Sequence, residues 1–302
     1  MTLRATVRFI INHPLSRGRI LRNLGRLAAW QIGARLVPGP VAAEFVGKAR
    51  LLAVPGLTGA SGNIYVGLHE FEDMAFVLHA LRPGDLFADV GANIGSFTVL
   101  ASAVVGARSV AFEPAEETYE WLVKNIAVNQ IEALVVARRE AVGSSSGHVH
   151  FTRMLDTVNH VVGVGDSSQG CSSRNTTTVA MVTLDEALKE ACPRVIKIDV
   201  EGFEAEVIRG AGDILQKPQL FAVVMELNGS GARYGYDESA LRARMHSVGF
   251  LAYTYSPFER ALRPASATVN PGSGNLIFVR EIEEVRWRLE AAPGVNVRGT
   301  VV

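Results

Sequence analysis

The chain has 302 residues, 48% of them hydrophobic, with 30 basic and 30 acidic side chains and a net charge of zero. That length holds one α/β domain with a smaller appended piece, and the apolar share supplies a sizeable core. Its two cysteines, Cys171 and Cys192, lack metal-ligand spacing, exclude a disulfide scaffold and fit a reducing cytoplasm.

The charge is unevenly spread. Residues 1–43 carry seven arginines and no acid, which leaves residues 44–302 with a net charge of −7. An acidic body argues against a nucleic-acid substrate. Phe9-Ile-Ile11 is too short for a signal-peptide core and ends at Asn12-His-Pro14. No apolar run approaches the ~18 residues of a membrane span. Ile20, Leu21, Leu24, Leu27, Ala28, Ile32 and Leu36 form a helical stripe with arginines mostly opposite. Two roles stay open for it: an accessory helix packed on the main domain, or a surface that meets a membrane. Pro38-Gly-Pro40 ends this element; short strands are predicted over 51–54 and 64–66, then a helix over 69–81, stopped by Pro83-Gly84.

From Asp85 the pattern alternates between strand and helix, which implies a parallel sheet covered on both faces. Strands are predicted over 85–90, 109–113, 134–142, 194–199 and 220–227. Helices are predicted over 95–105, 116–129, 203–209 and 237–248. Strands over 250–255 and 275–280 complete the sheet as an antiparallel edge. A Gly/Ser/Thr-rich stretch over 163–178 interrupts the alternation and reads as a mobile lid. The chain beyond about residue 290 is expected to be poorly ordered.

The densest signal is Asp85-Leu-Phe-Ala-Asp-Val-Gly-Ala-Asn-Ile-Gly-Ser-Phe-Thr98, followed by Ser109-Val-Ala-Phe-Glu-Pro114. An apolar strand, a glycine turn, a helix and a second strand ending in an acid make one βαβ unit. Gly91 and Gly95 let the backbone pass close to a ligand. Glu113, 18 residues beyond Gly95, stands where a carboxylate can grip both hydroxyls of a ribose. The third glycine of a dinucleotide fingerprint is missing, and Asp89 before the loop would repel a pyrophosphate. A cationic nucleoside such as S-adenosylmethionine suits the site better.

A second signal is Val195-Ile-Lys-Ile-Asp-Val-Glu-Gly202, which puts Asp199 and Glu201 at the end of a buried strand. Their bland role is to cap the helix that begins near Phe203. The next strand delivers Glu226 and Asn228 to the same edge. Methyl transfer to a hydroxyl needs in-line positioning and a base, for which Asp199, Glu201, Glu226 and His160 are the candidates. His160 stands at the mouth of the long loop. Glu70 opens a helix and could touch the methionine moiety of the cofactor. A divalent metal on Asp199, Glu201, Glu226 and Asn228 is chemically possible but not favoured. His148 and His150 alternate on one strand face with no third ligand and read as surface residues.

Asp-Val-Gly-Ala-Asn-Ile-Gly, Phe112-Glu-Pro114, Ile196-Lys-Ile-Asp-Val-Glu-Gly-Phe-Glu204 and Met225-Glu-Leu-Asn228 together resemble the FkbM family of S-adenosylmethionine-dependent methyltransferases. The resemblance implies a Rossmann-like methyltransferase fold, a mostly parallel sheet with a reversed final strand. Carried over, Asp89, Gly91, Asn93, Gly95 and Glu113 would hold the cofactor, with Ala141 and Val142 along its adenine; Thr98 and Asp199 are further candidate cofactor contacts. Asp199 and Glu201 would border the reaction centre. The implied activity is O-methylation of a saccharide or glycoconjugate in the cytoplasm. The alternatives are a polyketide or other secondary metabolite as acceptor, or a cofactor-binding module without turnover. The chain then divides into a basic N-terminal extension (1–60) with possible peripheral membrane contact, a methyltransferase domain (61–285) and a C-terminal tail (286–302). The oligomeric state stays open.

Overall fold

The computed structural model describes residues 2–36, 39–54, 57–152, 160–162, 176–265 and 274–302. Thr2 caps helix α1 (Leu3–Asn12), its hydroxyl accepting from the Ala5 N–H. Pro14 then turns the chain through one 3-10 turn into α2 (Ile20–Leu36). Strands β1 (Val41–Glu44) and β2 (Arg50–Ala53) form an antiparallel pair. They are followed by α3 (Thr58–Val66) and α4 (Phe71–Ala80).

The strand predicted over 64–66 is therefore the last turn of a helix. Ile64, Tyr65 and Val66 have strand propensity, but they are buried against Ile10, Leu27 and Ile94, and that packing overrides local preference. The N-terminal extension is attached to the main domain. The Leu52 N–H donates to Asn125 at 2.7 Å and the Arg50 N–H to Asn129 at 2.8 Å, tying β2 to the main domain.

The alternating part opens with β3 (Leu86–Val90), buried at every position, as a strand covered on both faces must be. Then come α5 (Ser96–Val99), which runs on as a π-helical turn over Leu100–Val105, β4 (Arg108–Phe112) and α6 (Glu116–Val128). The stretch 134–142 divides. β5 (Val135–Arg138) joins the main sheet, whereas β6 (Ala141–Val142) pairs elsewhere. With β7 (Gly147–Thr152) and β8 (Thr176–Val182), β6 makes a side sheet in the order β6-β8-β7. The last three residues of the predicted lid, Thr176–Thr178, are strand in β8; residues 163–175 lie outside the described residues.

After α7 (Leu184–Ala187) come β9 (Val195–Ile198), α8 (Glu204–Arg209), β10 (Ala222–Glu226), α9 (Glu238–Ser247), β11 (Leu251–Ser256), β12 (Ala261–Pro264) and β13 (Asn275–Val279). The main sheet has the order β12-β11-β13-β10-β9-β3-β4-β5. Strands β5, β4, β3, β9 and β10 are mutually parallel, and β13 is antiparallel to β10 and to β11. This is the predicted Rossmann-like sheet with its reversed strand. The chain leaves β3 toward β4 and returns to β9 on the other side, so the ligand crevice falls at the carboxyl ends of β3 and β9.

The C-terminal part is ordered, contrary to expectation. Helix α10 (Ile282–Ala291) buries Val285 and Leu289, and its Arg288 meets Asp85 at 2.8 Å. A final antiparallel pair, β14 (Asn296–Val297) and β15 (Thr300–Val301), is pinned to the N-terminal helices where Arg19 donates to the Gly299 carbonyl at 2.6 Å. Charged residues hid this from a reading of local hydropathy, because the attachment runs through long-range arginine contacts. No helix among the described residues is long and apolar enough to cross a membrane.

Candidate active site

The loop after β3 is shaped by the protein's own backbone. Gly91 has φ 75°, and a Cβ there would sit 1.8 Å from the Asp199 carbonyl oxygen. Gly95 has φ 88°, and a Cβ there would sit 2.6 Å from Leu122 of α6. Both glycines are thus required by chain-to-chain approach. Asp89 is fully buried beneath the loop and accepts from the Thr98 hydroxyl at 2.6 Å. Neither side chain lines the cavity beside Gly91 and Glu113 or the neighbouring cleft; this pair, expected to hold the cofactor directly, is bonded together beneath the loop. Asp89 Oδ1 is buried without a hydrogen-bond partner, and burial raises the carboxyl's pKa.

Glu113 ends β4 as predicted and is buried. The Asn93 N–H donates to one of its oxygens at 3.0 Å and the Ala115 N–H to the other at 2.8 Å. Each oxygen keeps one acceptor site for a ribose hydroxyl. Burial pushes its pKa up to about 7, against those two backbone hydrogen bonds. Glu113, Gly91, Asn93, Ala141, Val142 and Asp199 all line one cavity, together with Phe151 and Val161 of the side-sheet region. The sequence had placed these six around one nucleoside, and the fold brings them together.

Asp199 and Glu201 share an edge because the backbone leaves strand geometry between them: Glu201 has φ 55° and Gly202 φ 102°. A left-handed non-glycine residue stores strain of about 1–3 kcal/mol and is characteristic of functional sites. Neither acid caps α8. Glu204, the first residue of α8, reaches back to accept from the Val200 and Gly202 N–H groups of the preceding turn, both at 3.1 Å. Asp199, Glu201 and Glu226 therefore remain free to converge, with one carboxylate oxygen from each within 4.8 Å of the others. Such a set suits a shared proton, and it is also the hard-oxygen donor set a divalent cation would take. Asn228 turns away, its Oδ1 accepting from the Ser230 N–H at 2.9 Å.

Lys197 is the residue the sequence analysis passed over. It is buried on β9, beside Asp89 in the sheet register. Its Nζ lies 2.9 Å from Asp199 Oδ2 and 4.8 Å from the Phe97 ring centroid. Burial opposes its charge, but Asp199, Asp89 and Glu70 outweigh that and raise its pKa. A lysine inside the apolar run Val195–Ile198 was a legible signal, since a buried ammonium requires acidic partners.

The second cavity is a cleft of about 780 Å³ that shares Asn93, Asp199 and Glu201 with the first. Glu70, expected to touch the methionine moiety of the cofactor, lines this cleft and not the first cavity. Asn275, opening β13, donates to Asp73 at 2.7 Å and to Glu70 at 3.3 Å. Burial pushes Glu70 up to about 8, Asp73 to about 6 and Glu201 to about 7. Burial, and then Asp199 and Glu201, push Glu226 to about 9. Phe9 and His13 from the N-terminal helices, and His69, also line the cleft. Burial holds both imidazoles neutral, His13 at about 4. Residues 1–60 thus wall the cleft, a role invisible in the sequence because Phe9 meets His69 (ring centroids 4.8 Å apart) across a long chain separation.

His160 is buried, with its N–H donating to the Thr152 hydroxyl at 2.8 Å and its carbonyl accepting from the Thr152 N–H at 3.0 Å. Its neighbour Val161 lines the first cavity, whereas His160 is in the lining of neither the first cavity nor the cleft. His148 and His150 are exposed, as read.

Residues 89–252 match the methyltransferase FkbM domain. The chain is 26% identical over 213 residues to the hexuronic acid methyltransferase AglP of Haloferax volcanii, covering 69% of this chain and 83% of that protein. It is 24% identical over 172 residues to the methyltransferase sdnD of Sordaria araneosa, covering 47% of this chain and 66% of that one. Among solved structures, the C-terminal domain of precorrin-6Y C5,15-methyltransferase from Rhodobacter capsulatus aligns at 16% identity and TM-score 0.38, over 70% of this chain and 87% of that one.

Proposed function

The chain belongs to the FkbM methyltransferase family, and we propose that it moves the methyl group of S-adenosylmethionine to a hydroxyl of a saccharide or glycoconjugate. The observation that carries this is the meeting of the two cavities at Asn93, Asp199 and Glu201. A nucleoside held at Glu113 in the first cavity presents its reacting end toward those carboxylates, and an acceptor in the cleft reaches them from the other side. The cleft suits a sugar: Phe9, Tyr65, Phe71 and Phe97 offer faces to C–H groups, and Gln31 offers hydrogen bonds to hydroxyls. Similarity to a hexuronic acid methyltransferase agrees with a saccharide acceptor.

In this mechanism the acceptor oxygen attacks the sulfonium methyl in line, the C–S bond breaks, and the hydroxyl proton passes to the enzyme. Glu201 is the base. Its pKa of about 7 matches the pH at which it must take the proton. Glu226, protonated through its burial and its acidic neighbours, donates a hydrogen bond within the cluster. Lys197 pairs with Asp199 at 2.9 Å and holds its carboxylate at the junction of the two cavities.

Glu201→Gln should lower kcat by roughly 10²–10⁴-fold, the range for a general base, with the S-adenosylmethionine Kd nearly unchanged. His160→Ala should change kcat by less than about tenfold. The opposite ranking would return the base role to His160.

A further inference from the structure

The two N-terminal helices carry an outer surface that methyl transfer does not use. Leu3, Ile11, Ile20, Leu21, Ile32 and Leu36 are exposed, Leu21 to 86%, while the remaining described residues of the chain expose only as many large apolar side chains again. On α1, Leu3, Val7 and Ile11 stand one turn apart in a strip beside Arg4 and Arg8, and these five residues line an open groove. On α2, Leu21, Ala28, Ile32 and Leu36 repeat at spacings that keep them on one face. Arg17, Arg22 and Arg35 are exposed nearby in sequence. Among the described residues, no salt bridge engages any arginine of residues 1–43.

We infer that this surface docks on an anionic lipid bilayer. Exposed leucine and isoleucine beside unpaired arginine is the pattern of a helix lying in a membrane interface, its apolar strip among acyl chains and its cations on headgroups. The segregation of charge supports this occupant, because seven arginines without an acid lie on a body of net charge −7. A symmetric dimer through the same face would set arginine against arginine, which like-charge repulsion opposes. The opposite face of α1 presents Thr6 and Phe9 to the acceptor cleft. The helix that would meet the bilayer is therefore also a wall of that cleft.

The test is co-sedimentation of the full chain with vesicles of phosphatidylcholine alone and of equal parts phosphatidylcholine and phosphatidylglycerol. Binding is read without turnover, so it is independent of the proposed reaction. Pelleting with the anionic vesicles only, reversed by salt, is expected. The double variant Arg4→Gln/Arg8→Gln should bind roughly thirtyfold more weakly, on the scale of two arginines at an anionic surface. Its melting temperature and cofactor affinity should be unchanged. No pelleting with either vesicle, or equal pelleting with both, overturns the inference. So does a dimer in sedimentation velocity that Leu3→Ser dissolves, which would make the face a contact between copies.

Discussion

Replacing Glu113 by alanine removes the acceptor on which the ribose assignment rests. In the folded chain each Glu113 oxygen already takes one backbone N–H, from Asn93 or Ala115, so each has one acceptor site left for one hydroxyl. A hydrogen bond to a charged group contributes about 1.5–3 kcal/mol. Two such bonds would set an upper limit, but water can enter the space the side chain leaves and solvate the hydroxyls. The expected loss of S-adenosylmethionine affinity is therefore about 1–3 kcal/mol, roughly 5- to 150-fold in Kd. Isothermal titration calorimetry reads this directly, and thermal melting confirms that the variant is folded after the Asn93 and Ala115 N–H groups lose their acceptor. A second signature separates ribose binding from a general weakening. With the wild-type carboxyl at about pH 7, cofactor affinity should rise as pH climbs through that value, because hydroxyl donors prefer the ionised acceptor, and the variant should lose that component. Unchanged affinity in a folded variant, or the same pH profile in both proteins, would refute the assignment.

Stability should depend on pH in a definite direction. Glu113, Glu201 and Glu204 at about 7, Glu70 at about 8 and Glu226 at about 9 all stand above the ordinary 4.5. The unfolded chain sheds these protons near 4.5 and the folded chain holds them, so their stabilisation is present at low pH and lost as pH rises through 7–9. His13 and His79, lowered to about 4 by burial, contribute stability above 6.5 that is lost as pH falls toward 4. The melting temperature of the cofactor-free protein should thus fall between pH 6.5 and 9, and a flat or rising profile would contradict the buried acids. Metal is tested by exhaustive EDTA treatment. Lys197 already supplies a cation to Asp199 at 2.9 Å, so turnover should persist; its loss, restored by Mg²⁺, would make the three carboxylates a metal site.

The parallel core, and the meeting of Glu113, Gly91, Asn93 and Asp199 in one cavity, were legible because burial and charge conflict at just those places. An acid ending the apolar run before Pro114, and two acids after Val195–Ile198, have no reason to lie at buried strand ends unless something is bound there. The same logic, applied to Lys197, would have found the cation that organises the cluster. Glycine identity was readable but its cause was not. Gly91 and Gly95 are demanded by Asp199 and Leu122, contacts set by the assembled sheet and by α6. What the sequence hid were long-range encounters. Ile64–Val66 became helix because Ile10 and Leu27 cover it, and the cleft wall comes from Phe9 and His13, far along the chain from Asp199. His160 looked catalytic by position next to a polar loop, whereas what the structure shows is its backbone paired with Thr152.

The most direct test supplies S-adenosylmethionine carrying a ¹³C methyl group with a panel of neutral saccharides and uronic acids, and follows the label by NMR. The label should appear as a methyl ether on a sugar hydroxyl with the wild-type chain and vanish with Glu201→Gln, while calorimetry shows that the variant still binds the cofactor. Label arriving on nitrogen or as a carboxyl ester, or transfer undiminished in Glu201→Gln, would contradict hydroxyl methylation at the junction of the two cavities.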